Sequence, residues 1–372
     1  MSKIYFKGLD GLRGIAALAV VLGHVELIKQ AFQFENMYGG GGPFFLYLGS
    51  LAVTFFFVLS GFLITFLLLK EKDSKGTIGI KNFYLRRMFR IWPVYYMLFV
   101  LGFFVLPKLL LPGVLLPKTI DAESYWNSFF FNLILLPNFS KISNPIAFQS
   151  WSIGVEEQFY IFWPLLVSRI KSLKRLLIAM LAIVFGIYML RSGMYLATIF
   201  ELQLPFLNTI NSFFGESRFD NMAIGGILAI LFYKNPDFRF SVIQKVLVGV
   251  CTVLILYKQT AIGFGLDNIL AALVFTGLIF WVVNKREFII LDHSVFLFLG
   301  KISYGIYMYH VVGIVVALNV VLFLYPDYDG NGLQSNLMLY SLTLFTTLLI
   351  SYGSYHFMEK RILKYKEKIT FV

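Results

Sequence analysis

The chain has 372 residues, 58% of them apolar and only 14% charged, with a mean hydropathy of +0.76. Water-soluble domains carry about a quarter charged residues, so this composition excludes a soluble globular enzyme and points into a membrane. The net charge of +12 is accounted for by topology and calls for no nucleic acid.

Apolar runs recur at roughly the 20 residues a helix needs to cross a bilayer. They are unbroken rather than alternating, which makes them helices and not barrel strands. Ten spans are expected, near 12–32, 48–69, 88–111, 151–168, 174–191, 217–233, 242–257, 267–284, 301–324 and 336–357. With the N-terminus inside, 25 of the 32 Lys and Arg fall on the inner side. The outer side receives only Lys29, Lys108, Lys118, Lys141, Arg191, Arg218 and Lys258. That asymmetry follows the positive-inside rule and puts both termini in the cytoplasm. The expected fold is therefore all-α and polytopic. One membrane domain fills residues 1–372, with its core at about 9–359 and no separate soluble domain. A basic inner face would attract anionic membrane lipids or a phosphorylated cofactor.

The first span reads LDGLRGIAALAVVLGHV, Leu9 to Val25. Arg13 and His24 are eleven positions apart, which brings them within about 20° of one helix face and roughly 16 Å apart along the axis. Ionisable groups at such depth are costly and mark function by default. A basic anchor plus a histidine hydrogen-bonded in the bundle is the competing account. Ala17-Leu18-Ala19 lies inside the apolar run, so signal cleavage is not expected. Gly39–Gly42 lacks the lysine of a phosphate loop and reads as a flexible outer hinge.

Ahead of the third span, KNFYLRRMFRIWPVYY places Arg86 and Arg90 four apart and Arg87 and Arg90 three apart, close together on one helix side. Guanidinium forks suit phosphate, although positive-inside anchoring explains arginines here equally well. The outer stretch 112–150 is proline-interrupted and has room for a short interfacial helix near Trp126 to Leu136.

The fourth span opens QSWSIGVEEQFYIFWP, Gln149 to Pro164. Helix neighbours differ by about 100°, so Glu156 and Glu157 cannot serve one partner alike. One could meet a histidine while the other binds a substrate hydroxyl, or both could belong to a structural network. At the sixth span, Arg218 and Asp220 could hold a polar acceptor or pair with each other. In the ninth, LGKISYGIYMYH brings His310 to the depth of His24 among Tyr304, Tyr307 and Tyr309. A satisfied core histidine is an equal reading there. The histidines at 24, 293, 310 and 356 have no metal-ligand spacing, Cys251 is alone, and no metal is expected.

Six motifs in order carry a resemblance to the acyltransferase-3 integral membrane family: LDGLRG with His24, FFVLSGFLI at 56–64, the arginines 86–90, WSIGVEEQFYIFWP at 151–164, RFDNMAIG at 218–225 and SYGIYMYH at 303–310. The family's arginine-to-histidine element falls on Arg13 and His24, its paired arginines on Arg87 and Arg90. Some relatives carry an extra C-terminal hydrolase-like domain; none is expected after the last span here. The resemblance implies transfer of an acyl group, most simply acetyl, from cytoplasmic acyl-CoA to a hydroxyl of a carbohydrate or lipid-linked glycan outside a bacterial cytoplasmic membrane. On that reading Arg13, Arg86, Arg87 and Arg90 hold the coenzyme, and His24 is the base or acyl carrier, oriented by Glu156. Ser152, Glu157, Tyr160, Arg218, Asp220 and His310 meet the substrate. A proton-coupled transporter or flippase using His24 and Glu156 as a relay is the alternative, and a non-catalytic sensor a third.

Overall fold

The computed structural model describes residues 5–37, 43–106, 122–140, 147–200, 217–257, 266–284 and 288–369. The glycine run 39–42, Lys108, Lys118, Lys141, Lys258 and the prolines at 112, 117 and 145 lie outside them. All the regular structure described is helical, with no strand.

Every expected span has a helix: α1 (Leu9–Ala31), α2 (Pro43–Lys75) and α3 (Ile80–Val100), the last running on through a π-turn at Leu101–Val105. A short α4 (Ala122–Leu133) precedes α5 (Trp151–Arg169), α6 (Leu173–Ile199), α7 (Phe219–Lys234) and α8 (Val242–Tyr257). Then come α9 (Leu266–Asn284), α10 (Ser294–Leu324), α11 (Leu333–Ser354) with a second π-turn at Tyr355–Glu359, and α12 (Lys360–Ile369). Among the described residues, seven of these helices are long and apolar enough to cross a membrane by themselves: α1, α2, α3, α6, α9, α10 and α11. The helices α7 and α8 have 16 residues each, about 24 Å of rise against a hydrocarbon core of about 30 Å. Helix α5 is long enough at 19 residues but carries Glu156 and Glu157 through its middle.

The large apolar side chains that remain exposed belong mostly to outer helices. Phe185 on α6 and Val242 and Ile243 on α8 stand in the open. An apolar surface of this extent suits lipid and not water. The protein is a multi-pass membrane protein. Lipid tails are as apolar as leucine, so helices associate through small residues and polar contacts. The closest crossing is α2 on α7, where a Cβ on Gly61 would collide with the Met222 carbonyl and one on Gly225 with the Val58 carbonyl. This explains the glycines of the second and fifth motifs. Gly14 similarly admits Leu299 and Gly300, which lays α1 along α10. Helix α2 lies between α1 and α7, so α1, α2 and α10 form the centre of the bundle. The Trp163 indole N–H donates to Thr65 Oγ1 at 2.8 Å and ties α5 to the same centre.

Helix α4 occupies the stretch where a short helix is expected, ending three residues early, and Leu135 just beyond it takes φ 62°. Trp126 and Phe130, four apart, are exposed on one side. Asn132 anchors the other side: its carbonyl accepts from Tyr95 OH at 2.8 Å and its Oδ1 from Ser150 Oγ at 2.9 Å.

Candidate active site

Two histidines from opposite ends of the sequence meet at the centre. His24 Nδ1 lies 2.6 Å from His310 Nε2, and His310 Nδ1 lies 2.6 Å from the Tyr307 carbonyl. The rings stack with centroids 4.8 Å apart. A carbonyl only accepts, so His310 Nδ1 carries the hydrogen and, in a neutral ring, Nε2 is left with its lone pair. His24 Nδ1 must then donate to it. The remaining nitrogen, His24 Nε2, is the basic one. It lies toward Gly49 on α2, where even a Cβ would sit 3.6 Å from it.

His24 faces a cavity of about 330 Å3 lined by Leu27, Ser50, Val53, Thr54, Phe148, Trp151 and Arg218. The Phe148 ring stands edge-on to His24 at 5.2 Å, and the Arg218 guanidinium lies 6.0 Å from the centre of the Trp151 ring. Aromatic faces beside a cation and hydroxyls make a surface suited to a polar, hydroxylated ligand.

A second cavity, of about 160 Å3, gathers Arg13, Arg87 and Arg90 with Glu156, Tyr160, Ser152, Ser60 and Tyr307 among its walls. Arg87 lies over the rings of Phe83 and Tyr160, 5.6 and 5.4 Å from their centres. Glu156 accepts from Ser60 Oγ at 3.0 Å and from Tyr160 OH at 2.6 Å. Three guanidinium groups, of which Arg13 also pairs with Asp10 at 3.3 Å, against Glu156 leave this cavity net cationic, as an anionic ligand requires.

Arg13 and His24 thus line different cavities. The eleven-residue interval between them is matched on α2, where Gly49 faces His24 and Ser60, eleven further on, lines the arginine cavity with Arg13. Each interval spans roughly 16 Å of helix.

Several expected contacts are not made. Glu156 is not the hydrogen-bond partner of His24: its oxygens accept from Ser60 and Tyr160, and His310 stands at His24 Nδ1. His310 is fully buried with both ring nitrogens bonded, so it holds His24 and leaves no atom for substrate. Arg86 turns away from Arg87 and Arg90 to pair with Glu71 at 3.2 Å, a consequence of the 100° between helix neighbours. Asp220 is fully buried and paired with Arg191 at 2.7 Å, not with Arg218 or an acceptor; Arg191 also donates to the Ser217 carbonyl. Glu157 accepts from the Trp92 indole at 3.4 Å and lines neither cavity. Ser152 Oγ and Tyr307 OH share a hydrogen bond of 2.5 Å, which links α5 to α10 at the wall of the arginine cavity. No group of metal ligands occurs among the described residues.

Ser60, Gly49, Val53 and Arg191 were not singled out from sequence. A serine or glycine inside an apolar helix carries no local signal, and Arg191 reads as one more charge at a span's end.

The family defined by an acyltransferase domain, acyltransferase-3, matches residues 6–356. The chain belongs to the acyltransferase-3 family. Among its curated relatives, "Putative O-acetyltransferase SACOL0978" of Staphylococcus aureus is 29% identical over 384 residues, covering 95% of this chain and 57% of the relative. "Putative peptidoglycan O-acetyltransferase YrhL" of Bacillus subtilis is 27% identical, covering 96% of this chain and 55% of that one. "Peptidoglycan O-acetyltransferase OatA" of Listeria monocytogenes is 30% identical over 168 residues, which are 44% of this chain and 24% of the relative. This acyltransferase-3 chain therefore spans little more than half the length of the curated relatives it matches along its whole course. No solved structure matches it.

Proposed function

We propose that the protein is an O-acyltransferase of a bacterial cytoplasmic membrane. It would form one membrane domain of ten spans with both termini in the cytoplasm, and transfer an acyl group, most simply acetyl, from cytoplasmic acyl-CoA to a glycan hydroxyl outside. The observation that carries this reading is the pairing of a cationic cavity at one end of α1 with a histidine of fixed tautomer, its Nε2 free, at the other. The names of the relatives support a peptidoglycan-type acceptor.

The steps follow from the residues. Arg13, Arg87 and Arg90 bind the coenzyme phosphates, and the thioester extends along the α2 face from Ser60 toward Gly49. The acceptor enters the histidine cavity beside Trp151 and Arg218. His24 Nε2 takes the hydroxyl proton as the oxygen attacks the thioester carbon. The carbon–oxygen bond forms, the carbon–sulfur bond breaks, and the same nitrogen returns its proton to the departing thiolate. His310 supports the imidazolium by accepting from Nδ1–H throughout. The hydrogen-bond chain from His24 stops at the Tyr307 carbonyl, which has no proton to pass on and weighs against a transmembrane proton relay.

The test is reconstitution of the chain in liposomes with radiolabelled acetyl-CoA and a peptidoglycan glycan. The expected result is release of free CoA thiol only when both are present, with label recovered as an alkali-labile ester. Uptake of glycan without CoA consumption would instead support a transporter.

A further inference from the structure

One residue, Val53, lines both cavities. On α2 it lies one turn beyond Gly49, the residue against His24 Nε2, and seven residues before Ser60, which bonds Glu156 in the arginine cavity. Its neighbours across the divide are large and fixed. The Phe57 ring meets Trp151 of the histidine cavity at 6.0 Å, and the Phe56 ring meets Tyr307 of the arginine cavity at 6.0 Å. Tyr307 is held in turn by its hydrogen bond to Ser152 and by donation to the Gln149 carbonyl at 3.1 Å. The rest of the partition is thus braced by aromatic contacts and hydrogen bonds. Val53, the residue common to both linings, is small, aliphatic, 7% exposed and without polar atoms.

We propose that Val53 is the gauge of acyl-chain length: the acyl group passes from the arginine cavity to His24 across this side chain, and its two methyl groups set how long a chain fits. The inference rests on the acyl-transfer reading above and adds a specificity residue to it. A β-branched side chain on a helix has essentially one favoured rotamer, so the restriction cannot be relieved by rotation about χ1. Substitution therefore translates directly into size. In an apolar pocket one methylene is worth about 10- to 200-fold in discrimination.

The experiment compares acetyl-, propionyl- and butyryl-CoA as donors for the full chain in liposomes, with wild type, Val53→Ala, Val53→Ile and Val53→Phe. Val53→Ala should raise the butyryl-to-acetyl rate ratio by about tenfold or more. Val53→Ile should lower the propionyl-to-acetyl ratio. Val53→Phe should reduce acetyl transfer at least about tenfold while its affinity for CoA alone, set at the arginines, stays within about twofold. Where Val53→Phe does not fold, the ratios from the alanine and isoleucine variants decide. Donor profiles equal to wild type in both would overturn the gauge. If wild type transfers acyl groups and the variants keep its profile, only the gauge falls. If wild type releases no thiol from any donor, the acyl-transfer reading falls and takes the gauge with it.

Discussion

Helix α1 carries two polar clusters only two residues apart, and they differ in one respect. Beyond His24, Glu26 and Lys29 pair at 2.9 Å, both 1% exposed. Lys29 Nζ also donates to the Gly330 carbonyl and Asn336 Oδ1, each at 3.0 Å. Glu26 accepts from Tyr340 OH at 2.8 Å and the Met37 amide at 3.1 Å, and Tyr328 OH donates to Asn336 at 2.9 Å. Burial, with Glu26 and Asp329 nearby, pushes the Tyr328 hydroxyl above its ordinary range, so it remains a donor. Every charge here is spoken for, and the cluster ties the end of α1 to the α10–α11 turn. In the histidine pair His310 is buried as deeply, but His24 is only partly buried and closed on one side, leaving Nε2 beside a cavity. Buried charge alone does not mark chemistry; a buried group with an unspent valence next to open space does.

The contrast can be broken from the structural side first. Lys29→Met strands Glu26 without its cation and should cost about 3–5 kcal/mol, read as a fall in melting temperature and in yield from detergent. The coenzyme cavity gives the next effect. Arg87→Ala and Arg90→Ala should each raise KM for acetyl-CoA about tenfold, the worth of one hydrogen bond to a charged group, with kcat nearly unchanged. His310→Ala should act on kcat and not on KM. Loss of the acceptor that fixes the His24 tautomer is worth about 1 kcal/mol, or roughly fivefold, in steady-state turnover. The smallest effect belongs to Arg86→Ala. It should leave KM for acetyl-CoA within about twofold, because Arg86 pairs with the buried Glu71 and does not line the arginine cavity. Equal KM effects at Arg86 and Arg87 would show that the cavity does not sort the arginines.

What the sequence made legible was whatever recurs within one helix. The apolar runs marked a helix at each expected span, seven of them long and apolar enough to cross a membrane among the described residues, and eleven-residue spacing placed Arg13 and His24 on one line. Charge placement gave depths good enough to set His310 level with His24. Partners across helices were not legible. The two histidines are 286 residues apart, Ser60 and Glu156 are 96 apart, and Arg191 and Asp220 are 29 apart on different helices. In each case sequence adjacency suggested a nearer or better-known partner: Glu156 for His24, Arg218 for Asp220, Arg87 for Arg86. Helical geometry sends adjacent side chains in different directions, and tertiary packing chooses among the rest. The division into two cavities was equally hidden, because it depends on Val53 and on the fixed positions of Phe56, Phe57 and Tyr307.

The central claim concerns a single nitrogen. Turnover of acetyl-CoA by purified His24→Ala, with its melting temperature recorded beside that of wild type, tests it directly. The expected result is an unchanged melting temperature and a fall in kcat of about 10²- to 10⁴-fold, the range of general acid–base catalysis. Wild-type turnover from a folded His24→Ala protein would contradict it.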